Sequence, residues 1–159
     1  MRSVPTNLLL LVAFNLYIYT GYIKDSMNVV SDTSAIMAVV LNEPAKEQIR
    51  SQTRGANLIA PSSLHWEVGN ALSAGFKRDR LSLDEALQAI REYRHHIPIR
   101  FVDVDLEAAI RLAHELDIYA YDAYVIACAR DQNSPVLTLD GRQRDAAEEA
   151  GVTVIYITP

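Results

Sequence analysis

Four carboxylates stand where chemistry could be done. Asp32 follows the apolar run Val29-Val30 and precedes Thr33-Ser34, at the carboxyl end of a first expected strand. Ligands of open α/β sheets bind outside the carboxyl ends of the strands. An Asp at that place is also a good helix cap, and both readings stand. Asp140 repeats the pattern: Val136-Leu-Thr-Leu139 runs into Asp140-Gly141, which is equally a common turn pair. Glu67 is expected mid-helix, with Ser63, Leu64, Asn70, Ala71 and Ala74 on its face. It either borders an apolar stripe or is an exposed edge residue. Asp122 leads Val125, Ile126 and Ala129 along a core-facing stripe. A lone carboxylate there is costly, although a first-turn Asp is favoured by the helix dipole.

If the four converge, they cannot stay an unbalanced cluster. Two unit charges about 4 Å apart repel by about 4 kcal/mol at an effective dielectric of 20. Either some protonate or a cation sits among them. All-oxygen ligands select a hard divalent ion, Mg²⁺ or Mn²⁺. Such an ion activates water and offsets charge on a phosphodiester, so the chemistry expected is metal-dependent phosphodiester hydrolysis.

The elements that must position these residues alternate. Strands are expected at Asn28–Ser31, Asn57–Ala60, Arg100–Val104, Pro135–Leu139 and Thr153–Thr158. Between them lie helical segments: Ser34–Asn42, then Pro44 to about Thr53, then Pro61 or Ser62 to about Arg78. Ser82-Leu-Asp-Glu85 is a capping box for a helix to about His96. Asp105 caps another, and Tyr121–Arg130 and Arg142–Ala150 complete the set, with Gly151 as the stop. This alternation predicts an α/β fold with a mostly parallel sheet covered on both faces.

Composition sets the bounds. A chain of 159 residues, half of them apolar, fits one packed domain. The single cysteine, Cys128, excludes a disulfide framework and points to a reducing cytoplasm, with an inert buried thiol expected. A net charge of −5 excludes a nucleic-acid binder that works by bulk positive charge. Residues 1–26 do not belong with the rest. Leu8–Ile23 holds 16 uncharged residues, short of the roughly 20 that span a bilayer. No small-x-small cleavage site follows it. An upstream extension, a membrane anchor and a signal peptide compete. The expected organisation is an apolar extension over 1–26 and a nuclease domain over 27–159. Without the extension, 13 basic and 19 acidic residues leave a net of −6, so the acidity belongs to the domain.

The stretches VVSDTSAIMAVVLNEP, APSSLHWEVGNAL, YAYDAYVIACA and PVLTLDGR, in this order, carry a resemblance. From Met27 onward the chain resembles a PIN domain, most closely a VapC-type toxin ribonuclease. The resemblance implies a three-layer α/β/α architecture. It implies a Mg²⁺- or Mn²⁺-dependent endoribonuclease that leaves a 3′-hydroxyl and a 5′-phosphate, acting on structured RNAs such as tRNA or ribosomal RNA stem-loops. It implies homodimers and a VapB-like antitoxin as partner. The family's four acidic positions fall on Asp32, Glu67, Asp122 and Asp140. The three aspartates would be metal ligands, and Glu67 would ligate or orient the attacking water. Ser34 and Thr138 match the flanking hydroxyls, whereas Asp117 and Asp145 rank below the four. A rival reading is a non-catalytic PIN-like module that binds RNA or an antitoxin; another is a protein tethered through Leu8–Ile23.

Other residues carry less. Lys77, Arg78, Arg80, Arg91, Arg94, His95 and His96 could hold RNA or be solvated helix ends. Adjacent residues on a helix point about 100° apart, so His95 and His96 do not share a zinc ion. Trp66, Tyr93, Tyr119, Tyr121 and Tyr124 could stack bases, with core or dimer packing the expected role. No glycine-rich phosphate loop or G-x-S-x-G elbow is present, which leaves nucleotide-triphosphate use and serine hydrolysis without support.

Overall fold

The computed structural model describes residues 27–157. The extension over 1–26 lies outside the described residues. Among the described residues five strands form one sheet: β1 (Asn28–Ser31), β2 (Asn57–Pro61), β3 (Ile99–Val102), β4 (Val136–Leu137) and β5 (Val154–Ile155). Their order is β3-β2-β1-β4-β5, and every pairing is parallel. Seven helices join them: α1 (Thr33–Val40), α2 (Lys46–Gln52), α3 (Leu64–Lys77), α4 (Leu83–His96), α5 (Leu106–Glu115), α6 (Ala120–Asp131) and α7 (Gly141–Glu149).

Successive strand residues point to opposite faces, and here both faces are dry. Val30, Ile59, Val136 and Val154 pack under α5, α6 and α7. Val29 and Leu137 pack under α1 and α2, while Ala60 meets Ile36 of α1 together with α3 and α4. The result is the expected three layers. Helix ends follow local chemistry. Ser82 and Glu85 form both halves of the capping box on α4, and Asp105 caps α5 through two backbone N–H groups. Asn42, Asp79, Asp117 and Asn133 take positive φ just beyond α1, α3, α5 and α6, where short polar side chains tolerate the left-handed region.

Most element ends shift by a residue or more from the sequence reading, among them β3, at Ile99–Val102, and β5, at Val154–Ile155, and two shifts bear on the site. Pro61 ends β2, pairing with Val102, and α3 begins at Leu64 rather than at Pro61 or Ser62. Glu67 therefore lies in the first turn of its helix, not mid-helix. The β4 strand stops at Leu137, because Thr138 and Leu139 turn their polar groups toward Asp32 and Ser34 instead of continuing the ladder.

Candidate active site at the carboxyl edge of the sheet

Asp32 and Asp140 each follow one of two adjacent parallel strands, β1 and β4, so both emerge at the same sheet edge. Strand order reverses around β1, where a crevice opens in doubly wound sheets. Both aspartates are also N-caps. Asp32 accepts from the Ser34 backbone N–H at 3.1 Å. Asp140 Oδ1 accepts from Arg142 and Gln143 N–H groups at 2.7 and 3.2 Å. Capping and edge placement thus coexist.

Two hydroxyls tie the edge together. Ser34 Oγ donates to Asp32 Oδ2 at 2.5 Å and accepts from the Leu139 N–H at 2.8 Å. Thr138 Oγ1 donates to the same Oδ2 at 2.9 Å. All three bonds land on Oδ2; among the described residues Oδ1 of this buried carboxylate has no partner.

Glu67 is held by two more hydroxyls. Ser63 donates to Oε1 and Thr33 to Oε2, each at 2.8 Å. Burial pushes its carboxyl above the ordinary value of 4.5, the two hydroxyls pull it back, and the charges of Asp32 and Asp122 push it up again. Asp122 is half-buried in the first turn of α6, ahead of the buried Val125, Ile126 and Ala129. Its carboxyl is also raised, by burial first and then by the charges of Asp32 and Asp140. Mutual repulsion thus links the four carboxylates through Asp32 and Asp122. Asp117 sits in an exposed turn, and Asp145 is engaged by Arg144 at 3.0 Å.

Sequence reasoning passed over Gln143. It lies between Arg142 and Arg144 but shares neither their charge nor their exposure: it is 2% exposed. Its Nε2 donates to the Asp122 carbonyl at 3.2 Å, joining the starts of α6 and α7, and its Oε1 is buried without a hydrogen-bond partner. The pair of His65 and Tyr93 was equally hidden. Tyr93 OH and His65 Nδ1 are 2.9 Å apart, and the His65 ring lies 4.0 Å from that of Phe101. Burial, then the Glu67 charge, pushes the Tyr93 hydroxyl up to about 12.

The basic residues divide. Lys77 ends α3, roughly 15 Å along the axis from Glu67 at 1.5 Å per residue, and Arg78 and Arg80 follow it. Arg91, Arg94, His95 and His96 occupy the last turns of α4, alongside the Tyr93 that reaches His65 near the start of α3. Tyr93 is buried and Tyr124 packs on the core. Trp66, Tyr119 and Tyr121 do not pack in the core of the chain, at 75%, 81% and 51% exposure. Cys128 is buried, which raises its thiol to about 12, as expected of an inert thiol.

Among the described residues no three His, Cys, Asp or Glu side chains close into a ready-made ion cage. The donor set nevertheless fits a hard divalent cation. It is all oxygen, its members repel one another, and Asp32 Oδ1 accepts no hydrogen bond among the described residues. Mg²⁺ keeps several waters and needs only one or two carboxylates from the protein.

The fold and this edge match a known family. The family profile described as PIN domain matches residues 29–149, and the chain belongs to that family. A search among curated proteins gives no match. Among solved structures, the chain is similar to PAE2754 from Pyrobaculum aerophilum, at 18% identity and a TM-score of 0.63, covering 84% of this chain and 88% of that one. It is also similar to a domain of a functionally unknown protein from Methanocaldococcus jannaschii, at 22% identity and a TM-score of 0.52, covering 84% and 93%. FitAcB from Neisseria gonorrhoeae matches at 17% identity and a TM-score of 0.59, covering 80% and 96%. Among the described residues no helix is long and apolar enough to cross a membrane.

Proposed function

We propose that this protein is a VapC-type toxin endoribonuclease. It cleaves RNA phosphodiesters with Mg²⁺ or Mn²⁺ and is held inactive by a VapB-like antitoxin. PIN domains are generally metal-dependent nucleases, and likeness to FitAcB supports a toxin–antitoxin module in the broad sense. The observation that supports the reading is that Asp32 and Asp140 follow adjacent parallel strands, with Glu67 and Asp122 near enough to Asp32 for its charge to push both carboxyls up. The substrates are of the tRNA or ribosomal stem-loop class, and the working form is a cytoplasmic homodimer.

Asp32, Asp122 and Asp140 would hold the cation, with Glu67 beside them. When bound, the cation supplies a more acidic water and offsets the charge that develops on the phosphate. The chain's own residues do the rest. Ser34 and Thr138 fix the orientation of Asp32 by occupying Oδ2, so that Oδ1 would be open to a cation. Thr33 and Ser63 aim Glu67, whose raised carboxyl suits it to take a proton from the attacking water.

The test is cleavage of total RNA by the purified protein, with Mg²⁺ or Mn²⁺ and with chelator, followed by sequencing of the new ends. Metal-dependent cutting with 5′-phosphate ends supports the proposal. RNA binding without cutting, indifferent to added metal, overturns it in favour of a binding module.

A further inference from the structure

Two exposed aromatic rings flank a cavity of about 270 Å³ that opens beside Glu67. Trp66 and Tyr121 both line it, together with Thr33, Asn70 and Ala71. Each ring is the chain neighbour of a carboxylate: Trp66 precedes Glu67 in the first turn of α3, and Tyr121 precedes Asp122 in the first turn of α6. The α3 and α6 starts thus deliver a ring and an acid side by side, twice.

Covering such a ring removes roughly 150–250 Å² of it from water, so leaving two exposed forgoes a large stabilisation. Tyr121 is steadied by an edge-to-face contact with Tyr124, at 5.9 Å and 90°. The Asn70 amide makes no hydrogen bond among the described residues and lies on the Glu67 face of α3. The protein as a whole is acidic, at −5, so bulk charge does not draw RNA to this edge. Stacking does not depend on charge, since every base has a π-face. The cavity lies just below the roughly 300–1,000 Å³ range of drug-sized pockets, which suits one planar ring system.

We propose that the cavity between Trp66 and Tyr121 is a nucleobase subsite, which takes an unpaired base of single-stranded RNA flanking the cut phosphate, with Asn70 reading the base edge. The subsite rests on the ribonuclease reading for its substrate. Structured targets would accordingly be cut in loops, where bases are splayed out and free to stack.

Trp66 is the only tryptophan of the chain, so its emission reports this cavity alone. The wild-type protein in chelator is titrated with single-stranded tetraribonucleotides of each base, and with an abasic ribose-phosphate tetramer. Base-bearing tetramers are expected to quench Trp66, and the abasic one to leave it unchanged. Tyr121→Ala is expected to weaken binding about fivefold to a hundredfold, the range for one stacked base. Asn70→Ala is expected to narrow the differences among the four bases. Equal quenching by the abasic tetramer overturns the subsite. So does emission that follows protein concentration and not RNA, which would assign the rings to a contact between copies. If the wild type cuts RNA while Trp66→Ala and Tyr121→Ala keep its KM, the subsite falls and the nuclease reading survives. If no RNA is cut yet base-dependent quenching persists, the nuclease reading falls and base binding survives.

Discussion

The Thr138 hydroxyl donates to Asp32 Oδ2 at 2.9 Å while accepting the Asp140 backbone N–H at 3.0 Å. One hydroxyl thereby fixes the spacing between the ends of β1 and β4. Thr138→Val keeps the shape but leaves that N–H without its acceptor, a loss of roughly 1–3 kcal/mol. At roughly 2–4 °C per kcal/mol for a chain of this size, thermal melting reads it directly. RNA cleavage falls as well. Thr138→Ser is expected to restore both; failure of Ser to restore cleavage would show that the hydroxyl does not act through Asp32.

Asp32→Asn removes the charge and keeps the acceptor for Ser34 and Thr138. Cleavage is expected to drop roughly a hundredfold or more, as when a charge-stabilising group is lost. Melting shifts by only about 1 kcal/mol, the difference between charged and neutral hydrogen bonds. Cleavage comparable to wild type would sink the metal site.

Glu67 and Asp122 have raised carboxyls in the folded chain. A raised acid binds its proton more tightly folded than unfolded. Its favourable contribution is complete below the unfolded value and lost as pH rises through the folded one. Without metal, melting temperature is therefore expected to climb as pH falls toward the ordinary values of 4.5 and 3.8. Asp122→Asn raises the melting temperature at neutral pH and flattens this pH dependence. A variant that melts lower at neutral pH would contradict the repulsion.

Adding Mg²⁺ or Mn²⁺ to the wild type at neutral pH is expected to raise its melting temperature by mass action, about 2.7 kcal/mol at a hundred times the dissociation constant. Asp122→Asn and Asp140→Asn lose most of that response. An equal response in both variants would place the cation elsewhere.

Gln143→Met replaces a buried amide that carries one hydrogen bond and one unpaired oxygen. Removing an orphaned acceptor offsets the lost bond, so stability is expected to stay within about 1 kcal/mol. Cleavage falls about tenfold through loosened placement of Asp122, since supporting contacts of metal ligands carry 10–100-fold effects. Unchanged cleavage would make Gln143 a packing residue only.

Much of this was legible in the chain. Val29-Val30 before Asp32 and Val136-Leu137 before Asp140 read as buried strands with acids at their ends, because β-branched runs and a following cap are local signals. The capping box at Ser82 and Glu85 is local too. Pro61 misled because it suits either a strand end or a helix start, and only pairing with Val102 decides. Gln143 reads as surface, flanked by Arg142 and Arg144 in a polar helix; its burial depends on α6 crossing its path. Trp66 and Tyr121 stand beside apolar stripes that predict packing, and their exposure follows from where α3 and α6 begin.

The strand order has a consequence for synthesis. The middle of the sheet pairs β1 with β4, and Asp32 meets Thr138 across 106 residues of chain. A nascent polypeptide that has emerged only as far as α6 carries Asp32, Glu67 and Asp122 but has no β4 to bring Asp140 beside them. On the proposed nuclease reading, the carboxylate edge is therefore incomplete until β4 has emerged and paired with β1.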